Sequence, residues 1–417
     1  MNEKNPQEIE YRRLAFRLFE SGKSAAYILK RIPRSRSWLF KWKERFQRNG
    51  WRALDSLSKA PANSPQEHSE QTLELVLRIR QRLEKSDVGL IGPREIHKEI
   101  KRRHLIKSPP SLACIKRWLK QAGAVGTPES SDAAYYPTLQ RTDDLAVLSC
   151  DWIARYLTGG EKVFAFHTIN LRTHELAQTI RADKSTSSAC EHVLEAFSTL
   201  GLPDFLQIDN DAAFTGLGRT RPVLGRFIRL LLYLGVEVIF IPPGEPKRNS
   251  VVERANGIWA KSFWEKDHFS SLQAVQRKAP KFLTWYESYT PPSLNGKTVK
   301  QAAAEKRLPR LRRGQIARIP NELPLTAGRL HFIRRVDAAG EINILKEQWK
   351  VSKTISGDYV WATIDLRRKD LSIYHRHSLR SKPRLLKQYE YAINEPVQSL
   401  LLEYKRRPRK TDILRRI

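Results

Sequence analysis

Sulfur is scarce in this 417-residue sequence, which has three cysteines and one methionine. Cys114, Cys150 and Cys190 lie far apart, so they form neither a disulfide framework nor a C-x-x-C zinc pattern. Reduced thiols in a cytosolic protein are the expectation. Long apolar runs are missing as well. None approaches the roughly 18 residues that suggest a membrane span. The first residues show no basic start followed by an apolar leader. Acid is the third shortage. There are 44 Asp+Glu against 75 Lys+Arg, a formal net charge of +31 and a pI near 10.2. That balance points to a polyanion partner. An acidic membrane surface has no anchor here to support it.

The excess of base is unevenly spread. Residues 1–60 hold 15 Lys+Arg against 6 Asp+Glu, and residues 379–417 hold 11 against 4. Residues 140–270 hold 15 against 16. A near-neutral middle between basic ends suits a cation-binding catalytic region between two polyanion-binding ones. Basic ends that are merely solvated tails would give the same counts, so the motifs have to decide.

Residues 1–60 read as three short helices. Leu14, Leu18 and Phe19 share a face of the first, and Ser21-Gly22-Lys23 breaks it. Ser35 or Ser37 suits the N-cap of the third. There Trp38, Leu39, Trp42 and Phe46 recur at helical spacing as an inner face. Lys41, Arg45 and Arg48 fall outside, with Arg34 and Arg36 at the helix start. This is a helix-turn-helix arrangement, whose last helix enters the major groove N-terminus first. After a proline-containing linker, residues 69–123 give a second such unit, expected to be winged. Lys116, Arg117 and Lys120 point outward from it, and His97 and His104 lack any metal-spaced partner. Residues 124–143 read as a linker.

From 144 the hydrophobic period changes. Strands are expected at "DLAVLSCDW", on either side of "NLRTH", at "DFLQID" and at "VEVIFI", with helices between and after them. Three antiparallel strands, then helix, strand, helix, strand and helix, is the order of a ribonuclease H-like α/β core, assigned to 144–300. Residues 322–378 look all-β and suit a small SH3-like barrel. Residues 379–417 read as a basic arm. The expected chain is thus multidomain.

Three acids stand out by position. Asp151 follows "LAVLSC", Asp209 follows "DFLQI", and Glu253 opens the helix in "KRNSVVER". In a ribonuclease H-like sheet the first and fourth strands are neighbours, so their ends bring Asp151 and Asp209 together, and the last helix lays Glu253 across them. Close carboxylates repel unless cations lie between them. Oxygen-only ligands suit Mg²⁺ or Mn²⁺. Two such ions about 3.5–4 Å apart would serve an in-line phosphodiester displacement. A lone acid at a strand end is usually a cap or turn residue; three at matching elements are more specific.

The segments "CDW", "IDNDAAF" and "NSVVERANG" resemble the three motifs of DDE-type transposases and retroviral-type integrases. "WYESYTPPSLNGKTVKQA" resembles the segment that follows them. The double helical N-terminus and the barrel-like C-terminus are similar to those of bacterial insertion-sequence transposases. The resemblance implies that Asp151, Asp209 and Glu253 bind Mg²⁺ (or Mn²⁺), two ions per site. It implies supporting polar roles for Asn249, Arg254 and Asn256, with Asn210 beside the second acid. It also implies double-stranded DNA as partner, two to four chains assembled on DNA, a helper ATPase in some cases, and a bacterial, nucleoid-associated location. Two departures stand. Asp211 occupies a position that is often Gly; it reads as a surface residue, with a spare acid or a partner to the site's acids as the alternatives. Also, 43 residues separate Asp209 from Glu253, longer than in many relatives, with "TGLGRTRPVLGR" as the insertion.

Three functions compete. A transposase would bind the terminal inverted repeats of its element, cleave at the 3′ ends and join them to target DNA. A non-catalytic DNA-binding regulator would keep the modules without needing the acids. A ribonuclease H-like nuclease acting on RNA or junctions would need the acids without the DNA-reading units.

Overall fold

The computed structural model of the chain describes residues 6–55, 68–122, 135–137, 145–211, 214, 224–305, 307–378 and 380–405. It resolves into two compact units, Met1–Thr72 and Leu73–Ile417. Most of the 60–68 and 124–143 linkers, most of the "TGLGRTRPVLGR" insertion and the arm beyond 405 lie outside the described residues.

The first unit is three helices: α1 (Pro6–Glu20), α2 (Ala25–Arg31) and α3 (Arg36–Asn49). Ser24 and Ser35 are the N-caps of α2 and α3; their hydroxyls accept from Tyr27 N and Trp38 N. Each cap satisfies an amide that the helix start leaves free. Ala15, Phe16, Ile28, Ile32, Leu39 and Trp42 form the core. Leu14 is 45% exposed. The buried stripe of α1 runs through Arg12, Ala15 and Phe16 instead. Arg12 earns its place inside by stacking its guanidinium 3.8 Å from the Trp42 ring and donating to Leu54 O at 3.1 Å.

The second unit begins inside α4 (Glu70–Glu84) and continues with α5 (Pro93–Arg102) and α6 (Leu112–Gln121), packed through Val76, Ile79, Ile96, Ile100, Ile115 and Leu119. No strand occurs among its described residues 68–122, so the expected wing is not found there. Nor does it stand apart as a separate domain. Lys266 Nζ caps the end of α4, donating to Leu83 O at 2.7 Å and Ser86 O at 3.0 Å. Gly89 N donates to Ser262 O at 3.0 Å.

One nine-stranded sheet organises the rest, in the order β11-β10-β9-β6-β5-β4-β1-β2-β3. The five on one side are β1 (Val147–Tyr156), β2 (Lys162–Asn170), β3 (Leu176–Arg181), β4 (Phe205–Ile208) and β5 (Glu237–Phe240). β2 is antiparallel to both neighbours, while β1, β4 and β5 are mutually parallel. This is the ribonuclease H-like order expected from the sequence. Alternation along β2 puts Phe166 against α7 (Thr186–Thr199) and α8 (Arg226–Tyr233). It puts Val163 and Ala165 against α9 (Ser250–Ser262) and α10 (Leu272–Glu287).

The C-terminal strands do not form the separate barrel that was expected. β6 (Arg329–Arg335) pairs in parallel with β5, matching Val238, Ile239 and Phe240 to Leu330, His331 and Phe332. β9 (Tyr359–Asp365), β10 (Asp370–His375) and β11 (Arg384–Glu390) extend the sheet further, and β7 (Glu341–Ile344) and β8 (Glu347–Lys350) make a side hairpin. The edge of β5 would otherwise leave its backbone groups unpaired, and β6 satisfies them. Apolar residues of both halves share one core: Phe240 and Phe332 stack with ring centroids 4.8 Å apart. Much of the expected basic arm is therefore sheet and packed turn; Tyr404 is buried and its ring lies 6.0 Å from that of Tyr233.

Candidate active site

The register of β1 against β4 sets the site. Their pairing covers Val147–Ser149 against Phe205–Gln207 and then stops. Two residues on, Asp151 and Asp209 stand at corresponding positions. Asp151 is not at its strand's end, as expected, but inside it: β1 runs on to Tyr156, paired there with β2 alone. β4 ends because the chain turns away at Asp209, whose Oδ1 accepts from Asp211 N at 3.0 Å in a local Asx turn. The two strands diverge and leave a cleft between them.

Asn249 fixes the entry of α9 into that cleft. It is buried, and its Oδ1 accepts from Gln207 Nε2 at 2.9 Å and is hydrogen-bonded to Ser149 Oγ. Ser149 and Gln207 are register partners, so one amide oxygen spans the β1–β4 seam. Glu253 follows one turn later on α9.

Asp151, Asp209 and Glu253 line one cavity of about 330 Å³, together with Asn210, Asp211, Glu245 and the Ile241–Gly244 loop. Burial pushes the Asp151 carboxyl up to about 7. The Trp152 amide opposes that rise, and the charges of Asp209 and Glu253 add to it. Asp209 is raised by burial; the hydrogen bond from the Asp211 amide opposes that rise and the Asp211 charge adds to it. Glu253 is raised by burial and by Asp209. Burial leads at all three acids, and the charge of a neighbouring acid of the set adds to it at Asp151 and Glu253. As the side chains stand, no three described His, Cys, Asp or Glu residues are gathered closely enough to hold an ion. Asp151 is engaged elsewhere: Oδ2 accepts from Asn256 Nδ2 at 2.9 Å and Oδ1 from Trp152 N at 2.8 Å.

A buried chain stands behind Asp151. Asn256 gives its amide hydrogens to Asp151, so its Oδ1 accepts, and His167 Nδ1 donates to it at 2.6 Å. His167 Nε2 then accepts from Gln178 Nε2 at 3.0 Å. Burial holds His167 down at about 4, which keeps it neutral with its proton on Nδ1. On the opposite side, Arg334 of β6 donates from Nη2 to Asn210 Oδ1 at 2.8 Å, while Asn210 Nδ2 donates to Ile241 O at 2.7 Å.

Asn210, Asn249 and Asn256 therefore meet at this site. Arg254 does not: it is exposed, absent from the cavity lining, and its charge is felt by Tyr289. Asp211 corrects the expectation in the other direction. It lines the cavity and pairs with Lys184 Nζ at 3.1 Å. Of the basic residues singled out in the first unit, Arg36 and Lys41 are exposed on α3. Arg48 is exposed and paired with Glu44 at 2.6 Å. Arg45 is half-buried, 5.0 Å from the Trp42 ring. Arg34 is an internal brace, its Nη2 lying 2.6 Å from Glu8 Oε2. Lys116, Arg117 and Lys120 are exposed on α6. Sequence reasoning missed His167, Gln178 and Arg334. His167 carried one signal, a polar residue at an inward position of the apolar run "VFAFHTIN".

Residues 234–298 match the family model of the integrase core domain. That segment includes Glu253 but neither Asp151 nor Asp209. No curated protein matches the chain. Among solved structures, the chain is similar to the HTLV-2 integrase catalytic core domain in complex with magnesium, in its trimeric form. Identity is 16% and the TM-score 0.29, covering 38% of this chain and 95% of that one. It is also similar to a chain of the simian T-cell lymphotropic virus intasome, at 15% identity and TM-score 0.34, covering 73% and 100%. The BIV integrase catalytic core gives 14% and 0.28, covering 38% and 93%. With the strand order β3-β2-β1-β4-β5 and the matched segment taken together, the chain carries a ribonuclease H-like core of the integrase and transposase kind.

Proposed function

We propose that the chain is a transposase that cleaves DNA at the 3′ ends of its element and joins them to target DNA. The observation that carries this reading is the convergence of Asp151, Asp209 and Glu253 on one cavity from β1, β4 and α9, with all three carboxyls raised. Carboxylates kept together without enough protein cations suit an all-oxygen site for Mg²⁺ or Mn²⁺, and these three residues would hold it. Bound there, divalent ions would stabilise the attacking and leaving oxygens of the displacement.

The chain's own residues divide the remaining work. Asn249 ties α9 to the β1–β4 seam and so sets where Glu253 stands. Asn256, backed by His167, holds Asp151 by Oδ2. In cleavage, water attacks phosphorus and the P–O3′ bond breaks. In joining, the freed 3′-OH attacks a target phosphodiester, forming one P–O bond and breaking another. No external energy source is needed.

The first unit supports sequence reading through a helix-turn-helix in α2–α3, with Arg36 at the start of α3 and Lys41 along it. Lys116, Arg117 and Lys120 would grip phosphates through α6. The described residues bring these three acids together at one cavity, and two element ends must be handled, so assembly of two to four chains on DNA follows. The direct test uses the full chain with duplexes of the inverted repeats bracketing its gene. Asp151→Asn, Asp209→Asn and Glu253→Gln should each abolish cleavage and joining in Mg²⁺ while leaving duplex binding intact. Joining by the Asp209→Asn chain would remove the assignment.

A further inference from the structure

Arg334 sits where a cation is costly. It is 6% exposed, and among the described residues no carboxylate lies within ion-pair distance of it. Burying a guanidinium without a carboxylate is unfavourable unless its donors are met. Burial accordingly lowers its pKa to about 10, which leaves it charged at neutral pH. Neutral oxygens meet the donors: Nε donates to Asn343 O at 2.9 Å, and Nη1 to Ile241 O at 3.0 Å and Ile333 O at 2.9 Å. Nη2 reaches Asn210 Oδ1 at 2.8 Å. Its ring neighbour is Phe332, 5.2 Å from the guanidinium.

Two of those acceptors belong to the acid cavity. Asn210 directly follows Asp209, and Ile241 directly follows β5; both line the cavity. Asn210 Nδ2 also donates to Ile241 O at 2.7 Å. Guanidinium, amide and carbonyl form a closed triangle that ties the turn after β4 to the end of β5. The positive member comes from β6, a strand outside the five-stranded core. The planar fork of Arg suits several fixed acceptors at once, which a lysine ammonium cannot match.

We propose that Arg334 is a positioning residue for the acid cavity, supplied by the C-terminal strands, which holds the Asp209–Asn210 turn in the geometry that metal binding needs. The inference rests on the metal-site reading above for what the turn does, but not for how it is held. It makes the appended strands a working part of the site rather than a separate DNA-binding module.

The test uses the full chain as wild type, Arg334→Lys, Asn210→Ala, the double variant and Asp209→Asn. Two quantities are read: Mn²⁺ affinity by calorimetry, and hydrogen exchange of the Asp209–Asp211 amides. Loss of a partner that orients a ligand typically weakens metal binding by about 10–100-fold. Arg334→Lys and Asn210→Ala should each fall in that range. The double variant should be no weaker than the worse single, since both break one contact. Exchange should quicken at Asp211, whose amide donates to Asp209. Affinity and exchange within about twofold of wild type in a folded Arg334→Lys chain would overturn the proposal. If Arg334→Lys fails to fold, Asn210→Ala decides by the same limits. If wild type and Asp209→Asn bind Mn²⁺ equally poorly, the metal-site reading falls. The exchange data then decide alone whether Arg334 holds the turn.

Discussion

Asp151 on β1 and Glu237 at the start of β5 are acids two strands apart in one sheet, and burial pushes both carboxyls upward. They end far apart. Asp151 lies at about 7, and Glu237 at about 2. The difference is in the partners. His331 Nε2 donates to Glu237 at 2.9 Å, because Trp361 Nε1 already donates to His331 Nδ1, and Arg329 adds a hydrogen bond at 2.9 Å. Asp151 accepts from neutral donors, Trp152 N and Asn256 Nδ2, and feels the charges of Asp209 and Glu253. Glu237 is an acid used to join β5 to β6. Asp151 is an acid held at the expense of stability, which is what a site awaiting cations looks like.

The largest expected contrast is in activity. Asp209→Asn should reduce strand joining by more than the roughly 100-fold that loss of an outer-shell partner produces. Glu237→Gln should leave joining within about threefold, since its effect is on the sheet and not on the chemistry. Equal losses from both in a joining assay would erase the distinction. In chemical denaturation the order should reverse. Glu237→Ala should cost roughly 1–3 kcal/mol by leaving His331 and Arg329 without their acceptor.

The pH dependence should also run in opposite directions. The raised carboxyl of Asp151 contributes stability below its ordinary value of 3.8, and that contribution is lost as pH rises through about 7. The depressed carboxyl of Glu237 contributes stability above 4.5, and that contribution is lost as pH falls toward 2. Without metal, Asp151→Asn should therefore melt higher than wild type at pH 8 and close to it near pH 4. Glu237→Gln should melt lower at pH 7 and converge with wild type in acid. Melting curves across pH would show whether the two differences cross as stated.

The smallest contrast lies within the first unit. Arg34 braces Glu8, which also accepts from Trp38 Nε1 at 2.8 Å, while Arg36 is exposed at the start of α3. Arg34→Ala should lower the melting temperature of this unit. Arg36→Ala should leave it unchanged and weaken repeat binding. The two outcomes exchanged would reverse the assignment of these arginines.

Much of the core was legible because its signals are local. The apolar runs ending in Asp151 and Asp209, and the helix start before Glu253, are written in short segments. The place of Arg12 in the buried stripe of α1 was not legible, because it rests on burying its stem and stacking on Trp42, which no periodicity rule anticipates. The expected barrel failed for a longer-range reason. Strands of 322–378 alternate as any sheet strand does, and nothing local says that β6 pairs with β5 about ninety residues earlier. Arg334 and His167 were hidden by the same non-locality, since each matters only through a partner that the topology brings to it. Arg254 and Asp211 show the limit of motif transfer: one was expected at the site and points away, the other was expected outside and lines the cavity.

The central claim is that the acids at Asp151, Asp209 and Glu253 are kept together for cations. Its most direct test is thermal melting of the full chain at pH 8, with and without Mg²⁺, for wild type and Asp151→Asn. The account predicts that Mg²⁺ raises the melting temperature of wild type, as any ligand bound only by the folded state must. It predicts that Asp151→Asn melts higher than wild type without metal and does not respond when Mg²⁺ is added. A metal-free Asp151→Asn chain that melts below wild type, or an equal response to Mg²⁺ in both chains, would contradict it.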